Sequence, residues 1–94
     1  MSVARITTIN FKNKEAANKS IEDYSSNAPN EFPEAEQLMQ VHVNDTTVMA
    51  ISRYPDEEAM ERGVVARSKR MGANQDEFES VDTKTGLVTL NHKK

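Results

Sequence analysis

The clearest rhythm of apolar and polar positions runs from Leu38 to Met71. LMQVHV alternates, a polar turn follows at Asn44-Asp45-Thr46, TVMAIS alternates again, and RYPDEEAMERGVVARSKRM spaces its apolar residues for a helix closed by Gly72. This predicts a β-hairpin whose second strand leads straight into an amphipathic helix. With a two-residue turn at Asn44-Asp45, Val43 stands opposite Thr46, Val41 opposite Val48 and Met39 opposite Ala50. One face of the hairpin then reads Met39, Val41, Val43, Val48 and Ala50, continued by Ser52 and Tyr54, and packs on the helices. The other reads Leu38, Gln40, His42, Thr47, Met49, Ile51 and Arg53, a mixture that suits a sheet-to-sheet contact with a second subunit.

The flanks supply partners for this unit. Val3 to Phe11 (VARITTINF) is β-branched and apolar on both alternation sets, Ile6 on one and Val3, Ile9 and Phe11 on the other, which predicts an inner strand. Asn13 is placed to cap a helix over Lys14 to Ser26, with Ala17, Ile21 and Tyr24 as its stripe. The prolines and asparagines of Asn27 to Pro33 end that helix in a loop. The second helix begins at Pro55 or Asp56, with Asp56, Glu57 and Glu58 early and Arg67, Lys69 and Arg70 late, in line with the macrodipole. Its predicted stripe is Met60, Gly63, Val64, Ser68 and Met71. A glycine inside a helix costs about 1 kcal/mol relative to alanine, so something must approach closely at Gly63: sheet backbone, or a ligand. After Phe78, two β signals flank a turn at Asp82 to Gly86 with Gly86 left-handed. Leu87 to Asn91 is the stronger strand signal, and Phe78 to Val81 either pairs with it or leads into it.

Composition narrows the function classes. A chain of 94 residues makes one domain, residues 1–94, with a modest core that dimerisation would enlarge. The net charge of −3 and the scattered basic residues argue against a nucleic-acid binder. With no cysteine there is no disulfide, thiolate nucleophile or Cys-based metal site, and no metal is expected. Neither a signal peptide nor an apolar run of membrane-spanning length is present, so a cytoplasmic protein without membrane contact is the expectation.

The order strand, helix, strand, strand, helix, strand is the split βαβ of ferredoxin-like folds. It implies an α+β protein with a four-stranded antiparallel sheet, strands one and three inside, and two helices on one face. From Val3 to His92, in length and element order, and above all in VMAISRYPDEEAMERG, the chain resembles the antibiotic-biosynthesis-monooxygenase-like domains of the dimeric α+β barrel superfamily. The resemblance implies a homodimer with its sheets pressed into a barrel and a pocket in each subunit between sheet and helices. It also implies a cofactor-independent chemistry, where there is one, on an apolar oxygen-bearing small molecule. Many members end the third strand in a tryptophan; here Tyr54 or Arg53 occupies that neighbourhood. The haem-degrading branch is not matched, since mid-strand one is Thr7 or Thr8, tryptophan is absent and the second helix holds no histidine.

Within this frame the pocket candidates are Ser52, Tyr54, Gly63, Arg67 and Met71. A Tyr54 hydroxyl at the cleft mouth is able to hydrogen-bond a phenolic or enolate oxygen; its plainer role is to cap the core with its ring. Arg67 pairs with an anionic ligand or snorkels over the apolar edge, and Met39, Met60 and Met71 line or fill the same space. Leu38, Gln40, His42, Met49, Ile51 and Arg53 are the dimer-face candidates. His42 reads as an interface residue because no second ligand stands beside it, and His92 as surface. Few polar groups fall at the predicted pocket positions, which leaves a second reading open: a non-catalytic structural or protein-interaction dimer.

Overall fold

The computed structural model describes residues Met1–Lys94. Its four strands, β1 (Val3–Phe11), β2 (Gln37–His42), β3 (Thr47–Tyr54) and β4 (Phe78–Leu87), form one antiparallel sheet in the order β2-β3-β1-β4. The two runs that are apolar on both alternation sets are thus the inner strands, as expected of strands paired along both edges.

Helix α1 (Lys14–Glu31) starts where predicted, with the Asn13 side-chain oxygen accepting from the Ala16 backbone N–H at 2.8 Å. It does not stop at Ser26. It continues through Pro29, whose missing N–H removes the bond to the Ser25 carbonyl. Tertiary contacts offset that loss: Ala28 and Phe32 are buried in the core, and Asp23 and Glu31 are both tied to Arg70.

The hairpin departs from its predicted register by one residue. Its loop is Asn44-Asp45-Thr46, closed by Val43 N–H donating to the Thr47 carbonyl at 2.9 Å, while Asn44 Oδ1 accepts from the backbone N–H groups of Thr46 and Thr47. An asparagine able to bond the backbone two and three residues on favours this longer loop over the two-residue turn. His42 therefore pairs with Val48, Gln40 with Ala50 and Leu38 with Ser52. A slip of one residue turns a whole strand over. Leu38, Gln40 and His42 consequently lie on the helix side with Val48, Ala50, Ser52 and Tyr54, correcting their assignment to the dimer face. Gln40 Nε2 donates to the Ile21 carbonyl of α1, and His42 is exposed at the hairpin end. Met39, Val41 and Val43, expected on the helices, are 43, 42 and 51% exposed.

The second predicted helix is two helices, α2 (Glu57–Arg62) and α3 (Val64–Ala73), separated at Gly63. Asp56 caps the first, its Oδ1 accepting from Ala59 N–H at 2.8 Å. A Cβ on Gly63 would stand 3.3 Å from the Tyr54 hydroxyl, 3.4 Å from the Met60 carbonyl of α2 and 3.5 Å from the Phe32 ring, so its close neighbours are two side chains and the preceding helix, not sheet backbone. The interruption shifts the phase of the buried stripe. Met60 is buried as predicted, but beyond Gly63 the half-buried positions include Arg67, Arg70 and Met71, whereas Val64 and Ser68 are exposed. Helix α3 also runs past Gly72 to cap at Asn74, and a 3₁₀ turn at Gln75–Glu77 leads into β4.

Strand β4 is a single run along β1, so the turn predicted at Asp82–Gly86 does not form. Gly86 pairs with Ala4 and has no positive φ, and the residues after Leu87 leave the sheet. Pairing with β4 satisfies the second edge of β1, which outweighs the local turn signal.

Two apolar clusters hold the layers together. One contains Val3, Tyr54, Ala59 and Met60; the other contains Phe11, Ala16, Ala17 and Val48, with the Phe78 ring edge-on to Phe11 at 5.5 Å. Along β1, Arg5 and Thr7 lie between these clusters and are themselves buried. On the opposite, helix-free face Ile6, Met39 and Val41 are about two-fifths exposed, beside the half-buried Met49 and Ile51.

Candidate functional site

The polar middle of β1 faces a cavity between sheet and helices with a volume of about 60 Å³. Strand alternation builds its floor: Arg5 and Thr7 of β1 pair with Ser52 and Ala50 of β3, so all four side chains point to the helices. Tyr54, two residues after Ser52, closes one end. Tyr24 and Phe32 come from α1 and its end, and Arg67, Arg70 and Met71 from α3.

Four of the pocket candidates, Ser52, Tyr54, Arg67 and Met71, line this cavity. Gly63 lies behind it, leaving room for the Tyr54 hydroxyl. Met60 belongs to the apolar cluster beside Tyr54, while Met39 is on the opposite face of the sheet. Arg5, Thr7, Tyr24 and Arg70 also line the cavity, beyond the residues the sequence pattern predicts, and bring more polar groups to the lining than that pattern does. Arg5 had a legible signal: it is the one charge in VARITTINF, on the alternation set shared by Val3, Ile9 and Phe11.

The three arginines differ in their counter-charges. Arg70 donates through Nε and Nη2 to both oxygens of Glu31, each at 2.7 Å, and through Nη1 to Asp23 at 2.7 Å; its guanidinium lies 5.4 Å from the Tyr24 ring centroid. The hydrogen bonding to Glu31 is the main reason its guanidinium is held above the ordinary arginine range. Arg67 reaches only hydroxyls, donating from Nη2 to Thr83 at 2.9 Å and to Thr7 at 3.3 Å. Burial and then the charge of Arg5 hold it below the ordinary range. Arg5 is 7% exposed, and no carboxylate stands within ion-pair distance of it; the chain's ion pairs involve Arg62, Arg70 and Lys84 instead.

Two tyrosines complete the wall. Burial, followed by the neighbouring Tyr54, pushes the Tyr24 hydroxyl above its ordinary value. Tyr54 is 1% exposed and its hydroxyl has no hydrogen-bond partner. A buried donor of this kind normally finds one, so Tyr54 carries an unmet hydrogen bond beside a cavity lined by two arginines without carboxylate partners. No three acidic or histidine side chains gather where they would hold a metal ion.

A second, open depression of about 360 Å³ adjoins the cavity at Arg5, which lines both. Val3, Met60, Val64 and Leu87 make its apolar walls, and Glu57 and Glu61 its acidic rim. It exists because the helices leave β4 uncovered: Leu87 is 61% exposed.

No protein-family model matches the sequence. No curated protein matches it either. Solved structures match closely in shape. SnoaB, a cofactor-independent oxygenase from Streptomyces nogalater, superposes with a TM-score of 0.78 over 99% of this chain and 98% of its own, at 12% identity. The ActVA-Orf6 monooxygenase of Streptomyces coelicolor, solved with nanaomycin D, gives a TM-score of 0.78 over 99% of this chain and 92% of its own, at 13% identity. A dimeric ferredoxin-like protein from an uncultured marine organism gives 0.81 over 99% and 92%, at 8% identity. The chain therefore shares the ferredoxin-like fold of these solved proteins. At these identities the likeness establishes architecture, and function has to be argued from the site.

Proposed function

We propose that this protein is a cytoplasmic homodimer whose cavity binds an oxygen-bearing small molecule, with the Tyr54 hydroxyl as its hydrogen-bond donor and Ser52, Gly63, Arg67 and Met71 shaping the site. The observation that carries the reading is Tyr54, which lines the cavity while its buried hydroxyl, packed toward Gly63, has no partner. A ligand oxygen would supply the bond that the protein does not. The oxidative part of the reading, a cofactor-independent monooxygenation, is supported by the fold shared with SnoaB and ActVA-Orf6. Oxygen uptake measured with a panel of phenolic and enolisable compounds tests it. Uptake that falls at least tenfold in Tyr54→Phe is expected. Binding without uptake would leave a ligand-binding domain, and neither binding nor uptake across the panel would remove this reading.

A non-catalytic structural or protein-interaction dimer is the second reading, and both readings draw on the exposed apolar patch of Ile6, Met39 and Val41 on the helix-free face. That face is also where a second copy would sit. Arg53 lies on it, beside Ala4 and Gln37, with a buried Nε that has no partner. Val41→Glu should dissociate a dimer formed there, whereas His42→Glu, on the other side of β2, should leave it intact. Sedimentation equilibrium of the two variants separates these outcomes, and a monomeric wild type would exclude the dimer.

A further inference from the structure

We infer that the ligand of this cavity is an organic carboxylate, its anionic oxygens held between Arg5 and Arg67 and its apolar body lying in the open depression along Val3, Met60, Val64 and Leu87. The inference rests on the small-molecule reading above and specifies its chemistry.

Charge is the first argument. An interior guanidinium is costly unless it is paired, and Arg5, 7% exposed and lining both cavities, has no carboxylate partner. Arg67 faces the same cavity and has only threonine hydroxyls for partners. The protein does possess acids capable of filling this role, and it places Glu31 and Asp23 on Arg70 instead. Two like charges therefore line one cavity, which an anion would neutralise. Burial and the field of Arg5 both act against the Arg67 charge, a penalty that an anion between them would relieve.

Size and shape are the second argument. Whole-ligand sites occupy roughly 300–1,000 Å³, and the inner cavity at about 60 Å³ accommodates a head group only. The adjoining depression, about 360 Å³, supplies the remaining room, and Arg5 is common to both. The inner cavity is lined by two guanidinium-bearing side chains, Arg5 and Arg67, and by Tyr54, which suits a carboxylate: guanidinium groups bind its oxygens directionally. The apolar walls of the depression favour a carbon body, and the acidic rim of Glu57 and Glu61 disfavours a second negative group there.

The test uses the full chain at constant ionic strength, titrated with sodium benzoate and, separately, with benzamide, its neutral counterpart. The readout is the side-chain Nε–H signals of the arginines, together with the Tyr54 ring signals. Benzoate should shift the Arg5 and Arg67 signals saturably and leave Arg70 in place, with benzamide at least tenfold weaker. Arg67→Gln should weaken benzoate at least tenfold, and Arg67→Lys, which keeps the charge, by less. Equal shifts by benzoate and benzamide would overturn the carboxylate while keeping a neutral oxygen-bearing ligand at Tyr54. Unmoved Arg5, Arg67 and Tyr54 signals with both compounds would overturn the carboxylate and count against the pocket as a whole. Non-saturating shifts spread over all arginines, or an unchanged affinity in Arg67→Gln, would likewise overturn it.

Discussion

Arg67 and Arg70 stand one turn apart on α3 and both line the same cavity, yet their settings are opposite. Arg70 is saturated by two carboxylates and an aromatic face, and it fastens α3 to α1. Arg67 has hydroxyls on one side and the like charge of Arg5 on the other. The contrast shows that the fold has acids to spare for an arginine whose job is structural. An arginine left without one, beside a buried tyrosine hydroxyl in the same condition, marks the part of the interior that packing does not explain.

The contrast is most exposed to test at its structural end. Arg70→Ala would leave Glu31 and Asp23 without their counter-charge and should destabilise by about 2 kcal/mol, less than a fully buried pair because both carboxylates are partly exposed. Urea denaturation would show this as a lower midpoint at constant slope, and an unchanged midpoint would refute the fastening role. Tyr54→Phe acts in the opposite direction. Removing a buried hydroxyl that has no partner should stabilise the ligand-free protein by about 1–2 kcal/mol, so a loss of stability would mean that the hydroxyl is bonded in solution.

A smaller effect probes the same contact from the helix. Gly63→Ala places a methyl 3.3 Å from the Tyr54 hydroxyl, and crowding there should outweigh the gain in helix propensity. In the Tyr54→Phe background the hydroxyl is gone and the substitution should turn favourable by about 0.5 kcal/mol. A double-mutant cycle with no coupling would break the link between the glycine and the tyrosine. The least effect is on alkaline stability. The Tyr24 hydroxyl is raised above 10.0, so below that pH both folded and unfolded states carry it neutral and its contribution is complete. Above it the unfolded chain ionises first, and stability falls as pH rises through the folded-state value. Tyr24→Phe should flatten this loss above pH 10 without altering stability at neutrality, as followed by denaturation at a series of pH values.

Much of this architecture is legible along the chain. The strand and helix order, the inner position of VARITTINF and TVMAIS, and the caps at Asn13 and Asp56 all follow from local rules of spacing and capping. Ser52 and Tyr54 fall on the helix side, as the alternation set they share with Val48 and Ala50 predicts. The fold departs from the sequence pattern where one local preference competes with a contact distant in sequence. Asn44 lengthened the hairpin loop by one residue and turned β2 over, carrying His42 to the helix side. Gly63 broke the second helix and rotated Arg67 and Arg70 toward the sheet.

The sequence by itself determined which elements form and which strands lie inside, since periodicity and capping depend on neighbours within one or two turns. Only the tertiary structure decided which charges are compensated. Arg5, Arg67 and Arg70 are alike as letters, and what separates them is whether α1 brings a carboxylate within about 3 Å, the reach of a hydrogen bond. That choice left the middle of the core charged and the Tyr54 hydroxyl unpaired, and it is there that the function of this protein is to be sought.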